Sequence, residues 1–526
     1  MEYDYIVVGA GAAGAAASWN LARKGFSVLC VDRGPILDRA FLPTTSVDWE
    51  RQKQHEFNPV SSLRNSPYDY PIDDSESPIA ICNFNAVGGG TVIYSAHFPR
   101  FLRSDFKIYT DHLVGRDWPI NYDELTPYFE INERMMAMSG LTGDPYYPEI
   151  TSALPPIPLG KIGEKLASGF NNLGWHWWPS YGAISTLNRN GRSQCINLGP
   201  CNLGCPQGAK SSVDLTYIAE AKKYKFDLIS NFAISRVLSQ NKRAFGIEGF
   251  KNDGSLLQYF GKNVVLASSA VGTPRILLNS FDADFPAGLA NNSGLVGKNL
   301  MVHPLGYAEG VFSEYLETDI GPQGCLLYSL EFRRGDERDF KLGYMMHGLR
   351  GTGVVEAAKT ALVRKKLRFG KSLYSDFLDL YGKQAFITII CEDLPDQNNK
   401  LELDVKNCDR FGVPGVKVHY QLSQNSKAML SHGVMQARKV LQAAGAVKTY
   451  VSGPVRHTGW HTMGTCVMGE SPECSVVDKN GKCHDLEGLF IVDSSVFPTS
   501  SCVNPANTIQ TLALYLTDKM HERAVR

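Results

Sequence analysis

The 526-residue chain contains no apolar run approaching the ~18–20 residues that a membrane-spanning helix requires. It has no excess charge either: 53 Lys and Arg balance 53 Asp and Glu, so bulk charge offers no hold on nucleic acid or an anionic membrane. Cysteine is sparse, at 12 residues, far below the density of a secreted disulfide scaffold. Neither an internal repeat nor a low-complexity tract is visible. The opening MEYDYIVVGAG carries acids and enters an apolar run at once, unlike the basic start of a signal peptide. A reducing cytoplasm is therefore the default expectation. What is present is a globular composition, 43% hydrophobic and 20% charged, on a chain long enough for two or three units and a large buried cofactor.

The stretch DYIVVGAGAAGAAASWNLARKGFSVLCVDRG contains a β-branched run from Tyr5 to Val8, a glycine turn, an alanine-rich helix to about Lys24 and a second apolar run ending at Asp32. Gly9, Gly11 and Gly14 stand in G-x-G-x-x-G order. In a dinucleotide-binding turn the first glycine permits the tight bend, the second lets backbone approach a pyrophosphate, and the third lets helix and strand pack closely. Asp32 lies 23 positions after Gly9, near the ~20 expected of the acid that binds an adenosine ribose. On this segment alone the cofactor is FAD or NAD.

A second cluster, Gly88, Gly89 and Gly90 in NFNAVGGGTVIYSAHFPRF, precedes a β-branched stretch. Glycines in such a pattern cost conformational entropy, so a close backbone approach to something bulky is expected there. Near the C-terminus His461 precedes TMGTC, and Asn504 precedes Pro505 at the opening of an apolar helix to about Met520. Taken alone, Asn504-Pro505 reads as a helix cap followed by the first helical residue. A lone histidine reads as a core residue.

These motifs together resemble the glucose/methanol/choline family of FAD oxidoreductases. The likeness runs over nearly the whole chain and includes SSAVGTPRILLNS (Ser268 to Ser280), GLVGKNLMVHP, CEDLPDQNNKLELD, GWHTMGTCVMG and GLFIVDSSVFPTSSCVNPANTIQTLALY. The resemblance implies an α/β (α+β) fold: a Rossmann-like FAD-binding domain with an interleaved substrate domain built on an antiparallel sheet. The FAD domain is expected from residues 1–110, 160–305 and 455–526, the substrate domain from 306–454, and a connecting or lid segment from 111–159.

The family's catalytic pair is a His in an H-x-x-G-T motif and a His or Asn about 43 positions later; His461 and Asn504 are 43 positions apart. The resemblance makes His461 the general base and Asn504 its partner. It assigns cofactor binding to Gly9, Gly11, Ala12, Ala13, Gly14 and Asp32, to Gly88, Gly89, Gly90 and Thr91, and to Ile234. It also assigns Asp493 to the ribityl or pyrophosphate region, Asn507 to the neighbourhood of the isoalloxazine, and Asn504 and Pro505 to the helix start beneath the flavin. Ile93 occupies the position where some relatives carry a flavin-linked histidine, so FAD is expected to bind without a covalent bond. The expected substrate is a small alcohol, sugar, amino-sugar or other polyol. The electron acceptor, whether oxygen, a quinone or dye, or a cytochrome, is left open.

Three features have alternative readings. Cys195, Cys201 and Cys205 fall inside eleven residues and read as packing in a tight turn, as a disulfide, or, by resemblance to the gluconate and glucose dehydrogenase branch, as ligands of a [3Fe-4S] cluster serving a cytochrome-type partner. Iron–sulfur sites more often use four cysteines, and a fourth is not visible nearby. His457 and His461 lack the third ligand and helix of a zinc site, so no metal is expected there, and His303 reads as structural. The aromatic cluster Trp175 to Tyr181 reads as core packing, and the basic stretch Val363 to Lys371 as a solvated helix face. Two other functions compete with the flavoenzyme: an NAD-using oxidoreductase and a catalytically silent flavin-fold binding protein.

Overall fold

The computed structural model describes residues 2–525 apart from 65, 152, 336–337, 351–352 and 364–366, so that part of the basic stretch Val363 to Lys371 lies outside the described residues. In chain order the first strands are β1 (Glu2–Val8), β2 (Val28–Val31), β3 (Ile72–Asp73), β4 (Trp178–Pro179) and β5 (Phe226–Ile229). The next are β6 (Phe232–Gln240), β7 (Arg243–Lys251), β8 (Leu256–Leu266), β9 (Leu305–Val311), β10 (Leu327–Ser329) and β11 (Tyr344–Leu349). The last are β12 (Gln384–Cys391), β13 (Lys400–Cys408), β14 (Pro414–His419), β15 (Lys448–Ser452) and β16 (Leu489–Ile491).

The two apolar runs flanking the glycine turn become β1 and β2, and the alanine-rich stretch between them becomes the helix Ala12–Arg23. Tyr5 to Val8 are buried throughout, the continuous apolar reading of a parallel strand covered on both faces. The sheet around them has the order β5-β2-β1-β8-β7-β6, with β16 also beside β8. β8 pairs antiparallel with β7 through its first half and parallel with β16 through its last residues, while β1 lies along its other side. The carboxyl ends of β1, β2, β8 and β16 thus point the same way, and loops at such ends are where α/β sheets bind ligands.

The second sheet, β15-β9-β12-β11-β10-β4, is antiparallel, as the alternating middle segments lead one to expect. The helix Gln424–Ala443 covers one face, burying Met429, Val434 and Leu441 with Ile387, Ile389 and Met346. The helix Gly160–Leu173 packs beside it through Ile162, Leu166 and Phe170. Residues 160–179 therefore lie with the second sheet, unlike the sequence-based boundary that begins the dinucleotide half at 160. The other face of the sheet carries Tyr328, His347 and Thr388 in one cross-strand row, and Tyr328 joins the core shared with the dinucleotide half. A small sheet, β13-β14-β3, completes the strands among the described residues.

Candidate active site

The turn after β1 opens a cleft at the carboxyl end of the first sheet. Gly9, Gly11, Ala12, Ala13 and Asp32 line it from the first motif, Gly89 and Gly90 from the second, and Ile234 and Asp493 from β6 and the loop after β16. A Cβ on Gly14 would sit 1.8 Å from the Gly9 carbonyl oxygen, so only glycine lets the helix pack this close to the turn. A Cβ on Gly89, whose φ is +51°, would lie 3.0 Å from the Gly11 Cα. The two glycine clusters meet backbone to backbone. No side chain caps the helix Ala12–Arg23 and no acid occupies its first turn, so its N–H groups are open to an anion. Asp32 accepts the Ala10 N–H at 2.7 Å and the Gly34 N–H at 2.8 Å, bracing the turn while facing the cleft. Burial pushes its carboxyl up to about 6. An anion-receptive helix end, an acid at the β2 terminus and two glycine strips that exclude side chains fit the pyrophosphate, ribose and ring system of FAD.

Gly14, Gly88, Thr91, Asn504, Pro505 and Asn507 stand outside the lining of that cleft. Thr91 donates to the Gly88 carbonyl at 2.6 Å and accepts the Val213 N–H at 3.1 Å, which holds the second glycine segment in shape. Lys210 donates to the Val92 and Tyr94 carbonyls at 2.6 and 2.9 Å, and burial lowers its pKa to about 8. Asp493 accepts from Thr273 Oγ1 at 2.5 Å and from the Ser495 N–H at 2.9 Å, fixing the loop after β16. Asn507 donates to the Phe98 carbonyl and to Glu133, both at 3.2 Å, and accepts from Asn132 at 2.8 Å. Its amide is engaged by these three anchors.

The C-terminal helix begins at Ala506, and the Pro505 carbonyl accepts the Ile509 N–H at 2.9 Å. Pro505 therefore occupies the cap position and Asn504 precedes it, contrary to the capping reading of Asn504. The Asn504 side chain instead joins a line of polar contacts. His97 Nδ1 lies 2.8 Å from Asn504 Oδ1, Asn504 Nδ2 lies 3.3 Å from His461 Nε2, His461 Nδ1 lies 2.9 Å from His303 Nδ1, and His303 Nε2 lies 3.1 Å from the Ser500 carbonyl.

The line has one direction. The Ser500 carbonyl can only accept, so His303 carries its proton on Nε2 and leaves Nδ1 as an acceptor. His461 then donates from Nδ1, and its Nε2 keeps the lone pair that accepts from Asn504. Burial, followed by the neighbouring His303 and His97, holds His461 well below the ordinary histidine range. It is neutral at pH 7, with its basic nitrogen toward Asn504.

Comparison with known proteins matches the GMC oxidoreductase profile over residues 3–305 and again over 395–513. The chain belongs to the GMC oxidoreductase family. One relative, the 2-methyl-1,2-propanediol dehydrogenase of Mycolicibacterium austroafricanum, is 36% identical, covering 99% of this chain and 96% of that protein. The fructose dehydrogenase large subunit of Gluconobacter japonicus is 27% identical, covering 98% of this chain and 97% of that one. Among solved structures, pyridoxine 4-oxidase from Mesorbium loti superposes with a TM-score of 0.69 at 16% identity, covering 99% of both chains. That likeness confirms the Rossmann-like fold. The protein is thus an alcohol-acting oxidoreductase, and FAD is the cofactor that this family and the cleft both indicate.

In this GMC chain three further histidines surround the His461–Asn504 pair. His303, read from the sequence as structural, touches His461 directly. His97 and His347 were not singled out; they stack with ring centroids 4.1 Å apart beside Asn504. The HP of MVHP was a local signal for His303, whereas nothing local marks His347. His457 is exposed, and among the described residues no group of three or more His, Cys, Asp or Glu is placed to hold a metal ion.

Cys195, Cys201 and Cys205 are free and half-buried around a short 3₁₀ turn, Cys201–Leu203. Burial pushes the Cys201 thiol up to about 11, which keeps it protonated. A protonated Cys201 suits packing in this turn, whereas the cluster reading needs its thiolate. The aromatics from Trp175 to Tyr181 pack around β4; Trp175, for example, meets Phe332 edge-on at 4.9 Å.

Proposed function

We propose that the protein oxidises a primary or secondary hydroxyl of a small alcohol or polyol to the carbonyl, with non-covalently bound FAD and with His461 as the general base. The observation that carries this reading is the one-way line of hydrogen bonds from Asn504 to the Ser500 carbonyl, which leaves a neutral imidazole with its lone pair on Nε2. Such a group is suited to take a hydroxyl proton. The names of the relatives support a hydroxyl-bearing substrate: two of them act on molecules with several hydroxyls.

In this reading the Ala12–Arg23 helix end and the glycine turn hold the pyrophosphate, Asp32 the ribose, Ile234 the adenine side, and Gly89 and Gly90 the flavin edge. Bound there, FAD supplies the acceptor for the hydride that leaves the carbinol carbon. The substrate hydroxyl replaces the Asn504 amide at His461 Nε2, which then takes the hydroxyl proton. His303 then shares the proton on His461 Nδ1 and holds the ring in one orientation. Asn504 offers its second amide hydrogen to the substrate oxygen as negative charge grows on it. His97, donating to Asn504 Oδ1, keeps that amide from flipping. His461 and Asn504 are unequal partners, because an amide cannot serve as the base. Ile93, buried at the position of the flavin-linked histidine in some relatives, offers no nucleophile for a covalent bond.

The test is the flavin spectrum of the purified protein under nitrogen and its bleaching by a panel of alcohols and polyols. Retained FAD that bleaches with at least one of them is expected. Protein that carries no FAD, or FAD that no alcohol reduces, overturns the proposal.

A further inference from the structure

The direction of the histidine line depends on one atom, the Ser500 carbonyl oxygen that accepts from His303 Nε2. His303 is fixed from its own side. Met301 and Met463 exchange N–H···O bonds at 3.0 Å each way, which ties the segment before His303 to the loop after His461, and the His303 ring is fully buried. The orientation of the Ser500 carbonyl is set by the turn that carries it.

That turn, Thr499 to Ser501, is buried throughout. Ser501 has a φ of +57°, in the left-handed region that a residue with a Cβ occupies only at a cost and that Gly, Asn or Asp usually fill. Such a conformation persists where its surroundings over-determine it, and here they do. Ser501 Oγ donates to Asp105 Oδ2 at 2.5 Å, and Thr499 Oγ1 donates to the Asp105 backbone carbonyl at 3.2 Å. Asp105 therefore grips the turn on both sides of Ser500. From the opposite side the Ser500 hydroxyl accepts the Asp393 N–H at 2.8 Å and donates to the Asp393 carbonyl at 2.9 Å.

Asp105 lies in the short 3₁₀ turn Arg103–Phe106, nearly 400 positions from Ser501, and is itself held firmly. Its Oδ2 also accepts the Leu102 N–H at 2.7 Å, and its Oδ1 accepts from Arg333 at 2.6 Å and Arg334 at 3.0 Å. Arg334 continues to Glu392 at 2.8 Å. The side chains of both acids are fully buried, and breaking a pair in such a place leaves an uncompensated charge. Burial works to raise the Asp105 carboxyl, but Arg333, Arg334 and Ser501 outweigh it and hold it below the ordinary carboxylate range. All four partners of the side chain are donors, so the position demands a group that only accepts.

We propose that Asp105 is a positioning residue for the base: through Ser501 it holds the Thr499–Ser501 turn in the one conformation that aims the Ser500 carbonyl at His303, and thereby fixes which nitrogen of His461 is free to take a proton. This rests on the reading of His461 as the general base. Asp105 touches neither histidine's reacting nitrogen; it acts through the turn. With the carbonyl turned away, His303 can carry its proton on Nδ1, where it no longer accepts from His461, and His461 is released to place its own proton on Nε2.

The experiment is ¹⁵N NMR of the FAD-loaded enzyme labelled in its histidine rings, whose nitrogens report directly which of them bears the proton, with signals assigned by their loss in His303→Ala and His461→Ala. The wild-type enzyme is expected to show His303 protonated on Nε2 and His461 on Nδ1. Ser501→Ala removes the grip but keeps a Cβ at the strained position, so both rings should become mixtures of tautomers and anaerobic flavin reduction by a reactive alcohol should fall ~10-fold, the scale of a modest loss of alignment. Asp105→Asn, which turns an amide N–H₂ toward donors, should do the same. Ser501→Gly loses the same hydroxyl but adopts a positive φ freely, so it should keep the wild-type tautomers and most of the rate. Wild-type tautomers in Ser501→Ala, with or without a loss of rate, overturn the proposal, as does a Ser501→Gly enzyme that behaves like Ser501→Ala. Wild-type flavin that no alcohol reduces overturns the alcohol reading instead, and the tautomers still test the turn. Ser501→Ala deletes a single oxygen, so the outcome does not depend on the folding of Asp105→Asn.

Discussion

His461 and His303 meet edge to edge, Nδ1 to Nδ1 at 2.9 Å, whereas His97 and His347 lie face to face with centroids 4.1 Å apart. The first pair is anchored: His303 ends on the Ser500 carbonyl, and that one acceptor decides which nitrogen of each ring bears a proton. The second pair is fixed at one side only, through Asn504 and the Gly324 backbone, and keeps two nitrogens bare. The same residue type thus sits in two settings: one pair has its tautomers set by a backbone acceptor, and the other is a buried stack whose Nε2 atoms have no hydrogen-bond partner among the described residues.

The harshest way to break this comparison is to remove the base itself. His461→Ala should lower the rate of anaerobic flavin reduction by ~10²–10⁴-fold, the usual scale of lost general-base catalysis, while FAD stays bound because His461 lies outside the cofactor cleft. Stopped-flow absorbance reads both effects; retention of the full rate would remove His461 from its role. A smaller effect is expected one ring further back. His303→Ala removes the acceptor for His461 Nδ1–H and a neighbour that depresses His461, so the rate should fall by ~10-fold and the acid limb of its pH profile should move up toward ~6.5. A rate loss with an unmoved limb would make His303 merely structural.

The smallest effect is expected at the cysteine loop, which lies outside both histidine pairs. Replacing Cys195, Cys201 and Cys205 together by Ser should change flavin reduction by less than ~3-fold, since these half-buried thiols stand apart from the His461–Asn504 line. Metal analysis of anaerobically purified protein is expected to give far less than one iron per chain. Stoichiometric iron that disappears in the triple variant would transfer the loop to electron transport.

The parts of this site legible in the sequence are the locally encoded ones. Gly9, Gly11 and Gly14 can be read because a strand, a tight turn and a helix start follow one another within a few residues, and Asp32 because it ends the next strand. His461 and Asn504 were legible through their motif spacing. The partners of Asn507 were not, because Asn132 and Glu133, which bond its amide, lie about 375 positions away. Residues 160–179 carry an ordinary amphipathic helix and a short strand; which sheet they join depends on where Gln424–Ala443 lies, and no local pattern records that. His347 reaches the centre only through the pairing of β11 with β10 and β12, a register that one strand cannot reveal alone.

The central claim is that a neutral His461, depressed by burial and by its histidine neighbours, is the base that starts alcohol oxidation. Its most direct test is the pH dependence of anaerobic flavin reduction by a reactive alcohol. A group whose pKa is lowered stays unprotonated, and the enzyme active, as pH falls below the ordinary histidine value of ~6.5. The account predicts an acid limb below that value that is absent in His461→Ala. A limb at or above ~6.5, or one that survives the substitution, would contradict it.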